Sequence, residues 1–244
     1  MTIRGILFAV IFALPMLAAA DPLWLDAEAR IEYAYFTEDE RALVRLTSSL
    51  GEGDGTDVMR SYYAALAHYR LTLLRAERDR SQARESIDGC VDHLDRALKV
   101  DPDFAEGLAL QAACLGMLAS LKPLRAPFAG PKSNSQIAKA MQLAPRNPRV
   151  LLLHAVLGSM GSNSPGSHQR VSGRLQEAVD AFETERQGVT PVPGWGAAEA
   201  YMRLARSYLE RGDMLAARNV LERALLIAPE FAQARRLMIH ITSG

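Results

Sequence analysis

The sequence predicts an all-α protein, a right-handed α-solenoid of helical hairpins with about ten helices. Two observations carry this reading. Apolar residues recur every three or four positions from Asp26 onward, with none of the strict alternation that marks a half-buried strand. A bulky residue, a small residue three places on and a Pro five places beyond it return three times, as Leu94-Ala97-Pro102, Ile137-Ala140-Pro145 and Leu221-Ala224-Pro229.

Composition bounds what such a chain does. Its 244 residues carry 28 Lys plus Arg against 28 Asp plus Glu, so no basic surface is available to neutralise a run of phosphates, and nucleic-acid binding is excluded as a starting point. Apolar content of 49% is too high for intrinsic disorder. The positive charges divide into 24 Arg and 4 Lys, which fits either carboxylate and phosphate recognition or a codon bias.

The chain opens with Arg4, an apolar stretch from Gly5 to Leu17, then Ala18-Ala19-Ala20 before Asp21. This is the form of a secretory signal with cleavage expected after Ala20, and the apolar run is shorter than the roughly 20 residues that cross a bilayer. No Cys stands near the cleavage point to accept a lipid, so the expectation is a periplasmic or secreted chain without stable membrane insertion. In that compartment Cys90 and Cys114 either pair or act as small core residues, and the sequence leaves both open.

Asp26 to Phe36 and Glu38 to Leu50 read as a short helical pair or cap within residues 21–56, closed by the turn-rich Gly51-Glu52-Gly53-Asp54-Gly55. Four hairpins follow at 57–103, 104–147, 148–197 and 198–231, and a closing helix occupies 230–244. In the last hairpin the first helix spans Ala197 to Arg211 and stops at Gly212-Asp213. Its second spans Met214 to Ile227 and stops before Pro229.

This last segment resembles the tetratricopeptide repeat (TPR), on Tyr201, Leu204, Ala205, Tyr208, Gly212, Ala217, Leu221, Ala224 and Pro229. The small residues let two helix backbones approach, while the Tyr and Leu side chains fill space between hairpins. The resemblance is weaker upstream, where Glu185 replaces the second small residue of the copy containing Ala178 and Phe182. It is also stretched. The interval from the first bulky residue to the final Pro is 28 residues from Tyr201 to Pro229, but 40 from Tyr62 to Pro102, 37 from Leu108 to Pro145 and 40 from Leu151 to Pro191. In the first copy the extra residues are charged and lack Gly and Pro, so longer helices are expected. In the others Lys122 to Ser135 and Gly158 to Gly173 read as loops. Enlarged loops and an export signal are similar to those of bacterial exported TPR proteins.

What the resemblance implies is a concave surface, lined by the first helix of each hairpin, that binds a peptide or protein. Ala109, Leu110, Ala113, Met117, Leu152, Leu153, Val156 and Met160 are expected there, giving an apolar groove. Arg60 and Arg70 at one end and Arg203 and Arg206 at the other either anchor an acidic group or are solvated or paired with carboxylates. An exposed apolar stripe needs a cover, and the loop residues Leu124 and Phe128 either plug the groove or lie on the convex side.

No catalytic signature emerges. Gly130-Pro131-Lys132-Ser133 lacks the upstream Gly and strand of a phosphate loop. Cys90 and His93 have a ligand-like interval, yet Cys90 takes a small-residue position and His93 is expected to face water. His68, His154, His168 and His240 follow no metalloprotease spacing, and an enzymatic alternative rests only on tertiary assembly of Lys132, His154, His168 and Trp195. Trp195 itself is either a stacking platform for a ligand or a cap on the helix that follows. The expectation is therefore a non-enzymatic scaffold for a protein or peptide partner, with no metal or cofactor; the alternative is a small-molecule carrier or transport accessory that holds an apolar or weakly acidic ligand under the inserted loops.

Overall fold

The computed structural model describes residues 22–52, 55–160, 165–186 and 193–243, so the expected signal segment, Gly53-Asp54 of the expected turn and Pro191 lie outside the described residues. Among the described residues are eleven α-helices and one 3₁₀ turn. An N-terminal pair, α1 (Pro22–Phe36) and α2 (Glu40–Gly51), precedes the hairpins. The first two hairpins are α3 (Val58–Arg75) with α4 (Arg80–Val100), and α5 (Ala105–Leu121) with α6 (Ala126–Leu143) after the 3₁₀ turn Pro123–Arg125. The next two are α7 (Pro148–Met160) with α8 (Pro165–Arg186), and α9 (Ala197–Glu210) with α10 (Met214–Ile227). A single helix, α11 (Ala232–Ser243), closes the array. The molecule is an all-α solenoid of TPR-like hairpins.

The last hairpin follows from its residues almost one by one. Gly212, at φ +79°, takes the left-handed conformation that ends α9, and the Asp213 side chain accepts the Ala216 N–H at 3.0 Å to start α10. Leu204, Ala205, Ala217, Leu221 and Ala224 are fully buried, as close approach of the two backbones requires. In the first hairpin the added residues lengthen both helices, to 18 and 21 residues against 14 each in α9 and α10. Asp57 and Asp79 cap their N-termini.

Two expected loops are helices instead. Within Lys122 to Ser135, Pro127 falls in the first turn of α6, where a missing N–H costs nothing, and Pro131 forgoes one further bond near the exposed start. Packing against α5 decides the outcome: Ala129, Ile137 and Ala140 are buried, and the buried Ser133 hydroxyl donates to the Ala112 carbonyl at 2.8 Å. Within Gly158 to Gly173, α7 runs on to Met160 and Pro165 opens α8. Leu175, Ala178, Val179 and Phe182, spaced as one helical face, are buried and hold α8 in place despite its Gly- and Ser-rich first half.

Cys90 and Cys114 form a disulfide between α4 and α5, with Cα atoms 6.3 Å apart. It joins the first hairpin to the second through fully buried sulfurs. For cysteines 24 residues apart, cross-linking the unfolded chain contributes about 3 kcal/mol. Urea denaturation of the Cys90→Ala/Cys114→Ala variant should register a loss of that size, and an unchanged midpoint would contradict it.

Candidate functional site

The concave side of the array is filled by its own side chains. Arg70, on α3 and fully buried, donates from Nε to Glu32 of α1 at 2.8 Å and from Nη1 to Glu199 of α9. Its guanidinium carbon lies 4.3 Å from the Tyr35 ring centroid and 5.0 Å from that of Trp195. Arg203, one turn along α9, donates to the other oxygen of Glu199 at 2.7 Å. Trp195 donates from its indole nitrogen to the Tyr62 hydroxyl at 2.8 Å, and the Gly194 N–H donates to Glu28 at 2.9 Å. Residues 194–203 thereby reach back to α1 and α3.

A second buried group lies between α5, α7 and α8. Arg149 donates to Glu106 at 2.7 Å and to Glu185 at 2.9 Å, and Asn147 donates to Glu106 at 2.6 Å. Glu185 is the residue that departs from the repeat pattern, and its carboxylate is what Arg149 needs in order to be buried. At the rim Glu38 accepts from Arg78 at 3.1 Å and from Arg236 of α11 at 3.3 Å.

These contacts correct the apolar groove. Ala109, Leu110, Ala113, Met117, Leu152, Leu153 and Val156 are all buried in packing, and of the eight expected groove residues only Met160, 42% accessible, meets solvent. The reason is that α5 and α7 are apolar on nearly every side, which is the pattern of a central helix, not of one with an open face. The four arginines do not stand at opposite ends either. Arg70 and Arg203 converge on one carboxylate, Arg60 donates to the Glu52 carbonyl at 3.3 Å, and Arg206 is exposed.

The expected loop plug is absent, since Leu124 and Phe128 are 94% and 81% accessible and point outward. Trp195 is a buried packing group at the entry to α9. Lys132 pairs with Asp95, and His168 lies 3.4 Å from Glu210, so neither converges with Trp195. Among the described residues no three His, Cys, Asp or Glu side chains gather as a metal site, and no helix is long and apolar enough to cross a membrane.

His93 is buried, not water-facing, and stacks on His68 with ring centroids 5.5 Å apart. Gly89 makes room for this pair, because a Cβ there would collide with the His68 ring.

Two of the open clefts are joined by Arg203 and Arg206. The larger, about 480 Å³, lies between α3, α9 and α11 and presents Arg78, Arg203, Arg206 and Arg236 against Glu38 and Glu77. The smaller, about 230 Å³, lies between α7, α8 and α9.

Residues 198–231 match the family model described as tetratricopeptide repeat. That repeat is the last hairpin, α9 with α10. The fold is similar to that of a thermophilic TPR protein from Thermus thermophilus, at a TM-score of 0.61 and 15% identity, over 91% of this chain and 100% of that one. It is similar too to the HusA haemophore from Porphyromonas gingivalis, at a TM-score of 0.53 and 22% identity, over 81% of this chain and 96% of that one. No curated protein sequence matches significantly.

Electrostatics divide the two carboxylates that share Arg70. Burial opposes the charge on Glu199, but Arg70 and Arg203 together overcome it and hold its pKa down at about 2. Glu32 has Arg70 alone, and burial pushes it up to about 7. Replacing Arg70 by Met should remove the one cation that Glu32 has and one of the two on Glu199, at a cost of about 3–5 kcal/mol, read from chemical denaturation. A loss under about 1 kcal/mol would count against a stabilising role for the cluster.

His68 is lowered to about 4 by burial first and by His93 second. It stays neutral in the fold while the unfolded chain takes up a proton near its ordinary pKa of 6.5, so its contribution falls as pH drops from 6.5 to about 4 and is constant below. A His68→Phe variant lacks this term. Its melting temperature should rise relative to that of the unsubstituted protein between about pH 7 and about pH 4.5, and a constant difference would refute the assignment.

Proposed function

We propose that this protein is an exported, non-enzymatic TPR scaffold that binds a protein partner through the outer end of its second hairpin. The observation that carries the reading is the exposure of Leu124, in the 3₁₀ turn, and of Phe128, four residues on in the first turn of α6. Two large apolar side chains held in water on an ordered helical turn are a contact surface in search of a cover. The concave side offers no comparable opening, because the Arg70 and Arg149 groups occupy it.

Export rests on the apolar N-terminal segment ending at Ala20 and gains support from the Cys90–Cys114 disulfide, which persists in an oxidising compartment. The non-enzymatic part rests on the TPR fold, whose stacked hairpins generally serve as extended surfaces for partners.

A photo-crosslinking residue at position 128, introduced into the full-length chain in its native host, should capture a defined protein. The Leu124→Glu/Phe128→Glu variant should weaken that capture at least about tenfold while leaving the melting temperature unchanged. Mass spectrometry of the same preparation should place the mature N-terminus at Asp21. Capture that the double substitution leaves intact would remove the proposed surface.

A second reading, a carrier of a small ligand, is favoured by the two joined clefts beside α9. Its fold is one that HusA, a haemophore, also has.

A further inference from the structure

The two clefts share a wall, and that wall carries an arginine without a partner. Arg203 is committed to Glu199, with Nη2 at 2.6 Å. Arg206, the other residue common to both clefts, is exposed and has no ion pair or hydrogen bond among the described residues. The next residue, Ser207, lines the smaller cleft; it is 5% accessible, and its buried hydroxyl has no hydrogen-bond partner among the described residues. A buried hydroxyl left in that state is costly unless something else receives its proton.

The rest of the smaller cleft is mostly apolar: Ala155 and Val156 from α7, Val171 and Leu175 from α8. Ser159 also lines it but donates to the Val156 carbonyl at 2.6 Å. Glu210 is the one carboxylate among the described lining residues, and His168 Nδ1 faces it at 3.4 Å. In the larger cleft four arginines stand against two glutamates, so an anion entering from that side meets net positive charge.

We propose that the joined clefts bind an aliphatic monocarboxylate. The carboxylate pairs with Arg206 and accepts the Ser207 hydroxyl proton, and the hydrocarbon stem lies against Val156, Val171 and Leu175. A volume of about 230 Å³ for the stem selects a short or medium chain. The site lies on α7 to α9, away from Leu124 and Phe128, so it stands or falls apart from the protein-partner surface. It rests on the carrier reading and narrows it to one ligand class.

Calorimetric titration of the purified full-length mature protein with octanoate tests this, beside octanol and inorganic phosphate as probes of stem and charge alone. Saturable one-to-one binding of octanoate is expected, about tenfold tighter than either control. Arg206→Glu, a substitution at an exposed position, should weaken it by about tenfold or more, and Ser207→Ala by a smaller factor. Absence of saturable binding overturns the proposal, as does octanoate binding that Arg206→Glu leaves unchanged or phosphate binding of equal strength. Native mass spectrometry separates the two levels: a different bound molecule would retain the carrier reading and discard the aliphatic acid.

Discussion

Everything on the inner side of this solenoid depends on one buried guanidinium. Arg70 sits where α1, α3 and α9 meet, and it is there only because Glu199, Glu32 and two aromatic rings surround it. A lone buried cation would be prohibitive, and a pair with one carboxylate would barely offset its desolvation. The arrangement works as a set: Arg203 shares Glu199, Trp195 faces Arg70 and bonds to Tyr62, and Tyr62 packs edge-on against Phe104 of the next hairpin at 5.0 Å. In a TPR array this space is ordinarily the concave surface. Here it is interior.

That change relocates any binding to the rims and ends. Among the surfaces still open to solvent are an apolar, outward one on the second hairpin and a cationic one beside α9. They fit different occupants, a protein surface in the first case and a small anion with a hydrocarbon stem in the second. The Arg149 group performs the same closing role deeper in the array, and it does so with Glu185 at a position where the repeat otherwise has a small residue.

The fold was largely legible in the sequence because TPR packing needs specific small residues at specific spacings. Ala205, Ala217 and Ala224 declare the last hairpin, and the same logic recovers the earlier ones through Ala97 and Ala140. The extents of α6 and α8 were not legible: Pro, Gly and Ser argue locally for loops, and tertiary burial of Ala129, Ile137, Leu175 and Phe182 overrides them. The site was less legible still. Nothing in the spacing pairs Arg70 with a residue 129 positions away, although a charge inside an apolar run, as at Glu106, Arg149 and Glu199, was a signal that a buried partner was needed.

Solenoids built from stacked hairpins usually behave as open chains: each unit touches its neighbours, unfolding can start at either end, and evolution lengthens or shortens the array by whole units. The reach of Gly194 and Glu199 back to α1 and α3, and of Arg236 back to Glu38, removes that freedom. A hairpin added or deleted between α4 and α9 would carry Glu199 and Arg203 away from Arg70 and leave Arg70 with Glu32 alone. The number of units is therefore set by the closure itself, and the chain should melt as one cooperative body instead of fraying from its ends.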